Sequence, residues 1–258
     1  MKENLKDVTF LMQIRLDSID RLVNLCASVG FLLNNFDTNI HILEADNFNS
    51  ELIKANVPSG ICIDFIEDHD PVFHRTLYIN EMVRKCSTSF ISVWEPDVIV
   101  PPQQVIKTID QLRAGESDFV SPYEKNALET SSIIRTLFLK SGDWKVLEKH
   151  QLKMKKMYVP NPLGGAFFAN REKYIEAGME NLNFYGWGLE DGERVLRWEK
   201  LGHRFKRVPG NLYHLTHNRG TNSSFVTSEE REFKMKEYKK IQYMTKEEVE
   251  EEISNWNK

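Results

Sequence analysis

An aromatic, glycine-rich stretch that ends in two acids is the part of this sequence best suited to chemistry. It reads Phe-Tyr-Gly-Trp-Gly-Leu-Glu-Asp over residues 184–191. Glycines let a backbone approach a ligand closely, and Trp187 offers a flat face and an N–H donor that suit a sugar ring. A carboxylate of Glu190 or Asp191 next to a hydroxyl would serve as a general base. The alternative is a buried tryptophan followed by two acids that favour a helix N-terminus.

A second candidate site combines an acidic triplet with a histidine-rich segment. Glu95 and Asp97 flank Pro96 directly after an apolar run, and His214 and His217 lie far along the chain. Carboxylates with one or two imidazoles suit Mn²⁺ or Mg²⁺ better than a metal that prefers thiolates. Taken singly, the acids also fit an ordinary turn and each histidine fits a hydrogen-bonded residue without a metal. The pattern leaves open which histidine would bind the metal.

Three arginines and a glycine pair complete the candidates. Arg15, Arg75 and Arg219 are suitable anion partners, because a guanidinium group can hold a phosphate with two parallel hydrogen bonds. Gly164 and Gly165 would allow a ligand to come close, although a tight turn is the commoner reason for such a pair. Together these residues could bind a metal-bound nucleotide sugar.

Alternating apolar runs and helical repeats predict the elements that position these side chains. Predicted strands cover residues 8–14, 39–43, 61–66, 89–94, 118–121 and 204–208, and predicted helices include 75–85, 102–112 and 171–177. Strands that alternate with helices indicate an α/β fold with a mainly parallel sheet. Ligands of such sheets gather at the carboxyl ends of strands. Because Arg15 and the segment 95–97 each follow a strand, we expect them to converge.

Composition limits the class of protein. The 258 residues carry a net charge of −4, which argues against a nucleic-acid binder. The three cysteines, at positions 26, 62 and 86, show no paired spacing, and this favours free thiols in a reducing compartment. The first residues are charged and no apolar run approaches the ~20 residues of a membrane helix. We therefore expect a cytoplasmic protein, with peripheral association at the inner face of a membrane left open.

Four segments resemble the GT-A fold glycosyltransferases, specifically the group of the β-1,4-galactosyltransferases and chondroitin-type polymerases. Residues 73–80 resemble the family's Phe-Asn-Arg-Ala segment, residues 95–97 stand in place of its Asp-x-Asp, and residues 164–165 resemble its donor-side Gly-Gly. Residues 185–191 resemble the acceptor motif Trp-Gly-Trp-Gly-Gly-Glu-Asp and are the most specific match. The resemblance runs from Val8 to about Asn222 and is weakest over 123–158. It implies a Rossmann-like, mainly parallel central sheet flanked by helices.

The resemblance also implies roles at the acid pair and the metal site. Asp191 would be the catalytic base, Glu190 would contact the acceptor or donor sugar, and Trp187 would stack near the sugars. Asp97 would be a metal ligand, with His217 or His214 as its partner.

Further contacts with the UDP-sugar donor follow from the same resemblance. Glu95 would contact the nucleotide, or the metal through water. Arg15 and Arg75 would hold the UDP end, with Arg219 beside the ligand histidine and Gly164–Gly165 on the donor side.

Three departures from the family pattern affect what the resemblance implies about substrates. Glu95 replaces the first aspartate of the Asp-x-Asp, and Leu189 replaces a glycine. Pro162 and Leu163 stand where the galactosyltransferases have aromatics. The donor sugar is therefore expected to be galactose, N-acetylgalactosamine or another sugar.

The sequence as a whole predicts one domain over residues 1–258. It comprises a nucleotide-binding half (1–122), a helical insertion (123–158), a donor and acceptor half (159–227) and a charged helical tail (228–258) that packs on the body. Residues 216–225 are predicted to be a lid over the donor. The predicted function is inverting, Mn²⁺- or Mg²⁺-dependent transfer from a UDP-sugar to a glycan or lipid-linked glycan in bacterial surface polysaccharide synthesis. A catalytically inactive nucleotide-sugar or glycan-binding protein and a metal-dependent hydrolase are the alternatives.

Overall fold

The predicted apolar runs form strands in the computed structural model, which describes residues 2–220, 222, 225 and 227–256. The strands of the described residues are β1 (Glu3–Ile14), β2 (Phe36–Asp46), β3 (Cys62–Glu67), β4 (Phe90–Trp94), β5 (Val98–Ile99), β6 (Phe119–Ser121), β7 (Asn126–Glu129), β8 (Lys155–Met157), β9 (Ala166–Asn170), β10 (Phe205–Arg207) and β11 (Asn211–His214). The helices are α1 (Ile19–Asn35), α2 (Leu52–Asn56), α3 (Arg75–Lys85), α4 (Pro102–Arg113), α5 (Ser132–Ser141), α6 (Lys145–His150), α7 (Arg171–Glu176), α8 (Glu190–Leu201), α9 (Ser228–Tyr243) and α10 (Lys246–Trp256).

The main sheet has seven strands in the order β10-β6-β9-β4-β1-β2-β3. Adjacent strands of this sheet run parallel, except that β9 is antiparallel to β4 and β6. The carboxyl ends of β1 and β4 therefore lie side by side, which brings the residues that follow them to one edge. The predicted α/β class, with a mainly parallel central sheet flanked by helices, is confirmed.

A second sheet of four strands, in the order β5-β11-β7-β8, stands beside the main one. Strand β11 is antiparallel to β5 and parallel to β7. The pairing of β5 with β11 matters most for function, because it aligns the residues before Val98 with those after His214.

The segment 123–158 is only in part the helical insertion that its composition predicted. It contains α5, α6 and a 3-10 turn (Gln151–Lys153), but it also supplies β7 and β8 to the second sheet. Strand β7 reads Asn-Ala-Leu-Glu, whose residues mostly favour helices. Pairing with β11 overrides this weak preference, since it buries Ala127 and Leu128.

Local signals explain the helices next to the site. The Ser18 hydroxyl accepts a hydrogen bond from the Arg21 N–H and caps the start of α1. Helix α3 has the predicted bounds. Helix α8 ends at Leu201, and the residue that caps it is Gly202, whose φ of 83° is unfavourable for residues with a side chain.

The charged tail forms two helices rather than one. Helices α9 and α10 pack on α8 through a small apolar cluster of Ile241, Val249 and Ile253. The prediction that the tail packs on the body is confirmed. No helix among the described residues is long and apolar enough to cross a membrane.

The core lies on both faces of the main sheet. On one face Phe10 meets Trp94 and Phe168 edge to face. On the other, Phe119 stacks on Trp198 of α8 with 3.9 Å between ring centroids. This stacking anchors α8, whose first turn carries the acid pair.

Candidate functional site

The predicted residues converge on one cavity of about 390 Å³ at the carboxyl ends of β1 and β4. The aromatic-glycine bend and the start of α8 close one side, and the second sheet with residues 157–165 closes the other. All twelve candidate residues line it, namely Arg15, Arg75, Glu95, Asp97, Gly164, Gly165, Trp187, Glu190, Asp191, His214, His217 and Arg219. The expected convergence of Arg15 with the acidic triplet is therefore observed.

A compact cluster of possible metal ligands lies at the junction of the two sheets. The Leu215 N–H donates to the Asp97 carbonyl at 2.8 Å, and this extends the β5–β11 pairing and brings Asp97 to the histidines. His217 Nε2 is 3.0 Å from Asp97 Oδ2, and His214 Nε2 is 3.5 Å from Asp97 Oδ1. Both histidines, rather than one, are thus next to the carboxylate.

This cluster fits a divalent metal ion. One atom from each of Asp97, His214 and His217 lies within 4.8 Å of the others. Asp97 Oδ1 is buried without a hydrogen-bond partner, as expected for a group that faces a cation. Burial would raise the pKa of Asp97, but the two histidines hold it well below its usual range. A carboxylate with two imidazoles suits Mn²⁺.

Glu95 lies apart from this cluster. Its Oε1 is 3.5 Å from Arg75 Nη2, and its backbone N–H donates to the Gly165 carbonyl at 2.9 Å. The first acid of the triplet therefore faces the arginine and the acid pair.

The acid pair begins α8 and faces Arg75. Arg75 Nη1 is 3.6 Å from Glu190 Oε1 and 3.8 Å from Asp191 Oδ1. Burial and the neighbouring charge of Asp191 raise the pKa of Glu190 to about 7, despite Arg75. Burial would also raise the pKa of Asp191, but Arg194 and Arg75 hold it below its ordinary value. The pair thus contains one ionised carboxylate and one group that titrates near neutrality.

Arg194, one turn into α8, orients Asp191. Its guanidinium donates to Asp191 and forms two 2.8 Å hydrogen bonds to Glu180, and it stacks over the Phe167 ring at 4.2 Å. The spacing of three residues between Asp191 and Arg194 is a helical pairing that could have indicated this contact. Nothing in the sequence pointed to Glu180.

Gly164 allows Asp191 to approach the loop before β9. A Cβ atom at position 164 would lie 2.4 Å from Asp191 Oδ2, which is closer than real contacts. Glycine at position 164 therefore leaves room for the Asp191 carboxylate. Glycine at position 165 is favoured for a different reason, because its φ of 90° lies in the left-handed region.

The aromatic bend is held by Phe225, at the end of the predicted lid, and by Lys234, which the sequence did not single out. Trp187 meets the Phe225 ring edge to face at 5.3 Å between centroids. The Trp187 carbonyl accepts a 2.8 Å hydrogen bond from Lys234 of α9, whose side chain is almost fully buried. Leu189, which replaces the family's glycine, has a φ of 71°, in the left-handed region that favours glycine.

Like Arg75, the other two predicted anion partners are already engaged by the protein. Arg15 donates to the Ala45 carbonyl at 3.0 Å, the Asp70 carbonyl at 2.7 Å and the Asp68 carboxylate at 2.6 Å. Arg219 donates to Glu129 at 3.2 Å and to the Tyr158 hydroxyl at 3.3 Å.

The partners of Arg219 belong to the segment 123–158, to which we had assigned no site residue. Only its pairing in the second sheet brings that segment to the metal cluster. The predicted lid of residues 216–225 lies in part outside the described residues, at 221, 223 and 224. Of its described part, Asn222 accepts a hydrogen bond from the Phe73 N–H at 2.9 Å.

Comparisons with known proteins agree with this geometry. A family model described as the N-terminal domain of galactosyltransferase matches residues 149–219, which include the acid pair and both histidines. The catalytic domain of Drosophila β-1,4-galactosyltransferase 7, solved with xylobiose, is similar over 90% of this chain and 79% of its own, with 16% identity and a TM-score of 0.56. Glucosyl-3-phosphoglycerate synthase from Mycobacterium tuberculosis, solved with Mn²⁺, UDP and phosphoglyceric acid, is similar over 83% of this chain and 71% of its own, with 16% identity and a TM-score of 0.50.

No curated protein matches the sequence significantly. The structural likeness shows the fold, and the family match shows the resemblance over residues 149–219, which carry the acid pair and both histidines. The chain thus has the GT-A glycosyltransferase fold and resembles the galactosyltransferase group.

Proposed function

We propose that this protein is an inverting, metal-dependent glycosyltransferase that moves galactose or N-acetylgalactosamine from a UDP-sugar to a hydroxyl of a glycan acceptor. The observation that carries the proposal is that a three-ligand metal cluster and a pair of acids with opposed pKa shifts face one cavity. Opposed shifts in neighbouring carboxylates are typical of a site with one base and one neutral acid.

Asp191 would accept the proton of the attacking hydroxyl. Arg194 and Arg75 keep it ionised, and Gly164 leaves room for it beside the loop. Because the pKa of Glu190 is about 7, a large fraction of that group is neutral at physiological pH. A neutral carboxyl can donate a hydrogen bond to a sugar hydroxyl without adding a second negative charge next to the base.

Asp97, His214 and His217 would hold the metal ion, which when bound stabilises the negative charge on the departing diphosphate. Arg219 lines the same cavity and would add a positive charge there. Arg15 and Arg75 remain proposed contacts of the UDP end. Glu95 would position Arg75, with which it forms an ion pair, and would also contact the nucleotide. The Mn²⁺ and UDP bound by the mycobacterial synthase support this assignment.

We further propose that the acceptor is a glycan or lipid-linked glycan in bacterial surface polysaccharide synthesis, at the cytoplasmic face of the membrane. The resemblance to the polymerase group supports this role. The xylobiose bound by the Drosophila enzyme supports a saccharide acceptor.

A catalytically inactive sugar-binding protein is the second candidate. It is favoured by Leu189, whose side chain occupies the acceptor bend in a backbone conformation suited to glycine. It predicts UDP-sugar binding without turnover.

The test is a screen of UDP-sugars with Mn²⁺, with UDP release and the sugar product both measured. We expect release from one donor that is lost with EDTA and in Asp191→Asn, and retained in Asp110→Asn, an exposed acid on α4 that serves as the control. Binding of a donor without release, across a panel of acceptors, would support the inactive protein. Release of free sugar with no glycoside would indicate the hydrolase.

A further inference from the structure

The segment from residue 132 to residue 159, here called the basic segment, differs in charge from the rest of the protein. It contains seven basic and two acidic residues, a net charge of +5, whereas the whole chain carries −4. Six of the seven are lysines, Lys140, Lys145, Lys149, Lys153, Lys155 and Lys156, and all six are exposed. In the part of the chain that the structure describes, none of these lysines forms an ion pair. Their charges are therefore available to an outside partner.

Arg135 has a different use, because it attaches the segment to the body. Its guanidinium donates to Asn24 at 2.7 Å and pairs with Asp20 at 3.0 Å, both on α1. The opposite side of α5 is thereby turned outward.

Exposed apolar side chains accompany the lysines. Of the thirteen large hydrophobic residues exposed in the described chain, five lie in the basic segment: Ile133, Leu137, Leu152, Tyr158 and Val159. Ile133 and Leu137 share a face of α5 with Lys140, away from the buried Ile134 and Phe138. Leu152 is 98% exposed. Apolar side chains exposed to water beside unpaired lysines are unfavourable for a free protein surface. They are suited to bind a surface that has anionic groups outside and an apolar interior.

The same segment leads into the cavity. Met157 and Tyr158 at its end line the wall next to His217 and Arg219. Whatever binds the basic segment is therefore held beside the opening to the metal cluster.

We propose that the basic segment docks the protein on an anionic lipid membrane, with the apolar side chains inserted at the headgroup level and the lysines on lipid phosphates. Lysines close to a negative bilayer surface and apolar groups inserted into it are the two components of reversible surface binding. An acidic protein partner would pair with the lysines, but it would also have to cover the exposed Ile133, Leu137 and Leu152, which insertion into a bilayer does without a shaped apolar complement. The role we give the surface, presentation of a lipid-linked acceptor to the cavity, rests on the proposed function; membrane binding itself does not.

The experiment is sedimentation of the full chain with vesicles of phosphatidylcholine alone or mixed with phosphatidylglycerol. We expect binding to the mixed vesicles only, and weaker binding at high salt. A lysine near the surface changes partitioning about fivefold, so Lys149→Gln with Lys153→Gln should lower it about 25-fold. The matched control is Lys236→Gln with Lys239→Gln, two exposed lysines of α9.

A second pair of variants tests insertion. Ile133→Ser with Leu137→Ser should weaken binding to mixed vesicles at least tenfold, whereas Phe233→Ser, an exposed residue of α9, should not. Binding to neither vesicle, equal binding to both, or equal losses in the control variants would overturn the proposal; binding to neither would leave an acidic protein as the occupant. UDP release with a soluble acceptor is measured on the same proteins; its absence with vesicle binding intact would refute the proposed function and not the docking surface.

Discussion

Replacing Glu190 by glutamine should make the protein more stable at neutral pH while it impairs the site. The Glu190 carboxyl is 7% exposed, lies beside Asp191, and has a pKa raised to about 7 from an ordinary 4.5. Between these two pH values the folded protein holds a proton that the unfolded chain has released. Stability therefore falls as pH rises through this window, by 1.36 kcal/mol per pH unit. Glutamine keeps the shape and cannot ionise.

The pH interval sets the size of the effect. The gap between 4.5 and about 7 corresponds to about 3 kcal/mol that ionised Glu190 costs the folded state once the pH exceeds 7. The stability advantage of Glu190→Gln over the natural protein should therefore grow from under ~1 kcal/mol at pH 5 to about 3 kcal/mol at pH 8.

Urea unfolding followed by circular dichroism from pH 5 to pH 8, with EDTA to exclude metal binding, measures this difference. Asp191→Asn is the natural comparison, because Arg194 and Arg75 lower the pKa of Asp191 and the sign is reversed. Its ionised form contributes stability above the ordinary pKa of 3.8, so this variant should be less stable throughout the range. A Glu190→Gln variant that is no more stable at pH 8, or whose advantage does not change with pH, would refute the reasoning.

Three other substitutions test the geometry of the site. Gly164→Ala should displace the Asp191 carboxylate and lower kcat by roughly 100-fold with little change in UDP-sugar affinity. Steady-state kinetics measures kcat and calorimetry measures the affinity. An unchanged kcat would contradict the close approach of Asp191 to position 164. His217→Ala should weaken Mn²⁺ binding, measured by calorimetry, by roughly 100-fold or more, and should lose activity that excess Mn²⁺ partly restores. If the variant binds Mn²⁺ as tightly as the natural protein, His217 is not a ligand. Lys234→Met leaves the part-buried Trp187 carbonyl without its donor and should lower stability by about 1–3 kcal/mol while raising KM. A loss of stability with KM unchanged would limit Lys234 to a structural role.

Much of the architecture was predictable because local signals and packing agree. The run before Arg15 is apolar on both faces, as a central parallel strand requires, and Ser18 supplies a cap where α1 begins. The segment 123–158 was predicted poorly because the residues of β7 prefer helices and only a distant partner strand makes them extended. No local pattern reports such a pairing.

The candidate site divides in the same way. The sequence by itself determined which residue types are available: two acids after a glycine-rich bend, an acid after a buried strand, and two histidines three residues apart. It did so because strand ends and helix starts are local features, and chemistry gathers there.

Only the tertiary structure decided how these groups act on one another. Asp97 meets both histidines because β5 pairs with β11 across more than a hundred residues. The pKa values of Glu190 and Asp191 separate because Arg194 and Arg75 contact the two adjacent acids unequally in a buried site. Electrostatic interactions depend on distance and burial, and neither is encoded in the spacing of residues along a chain.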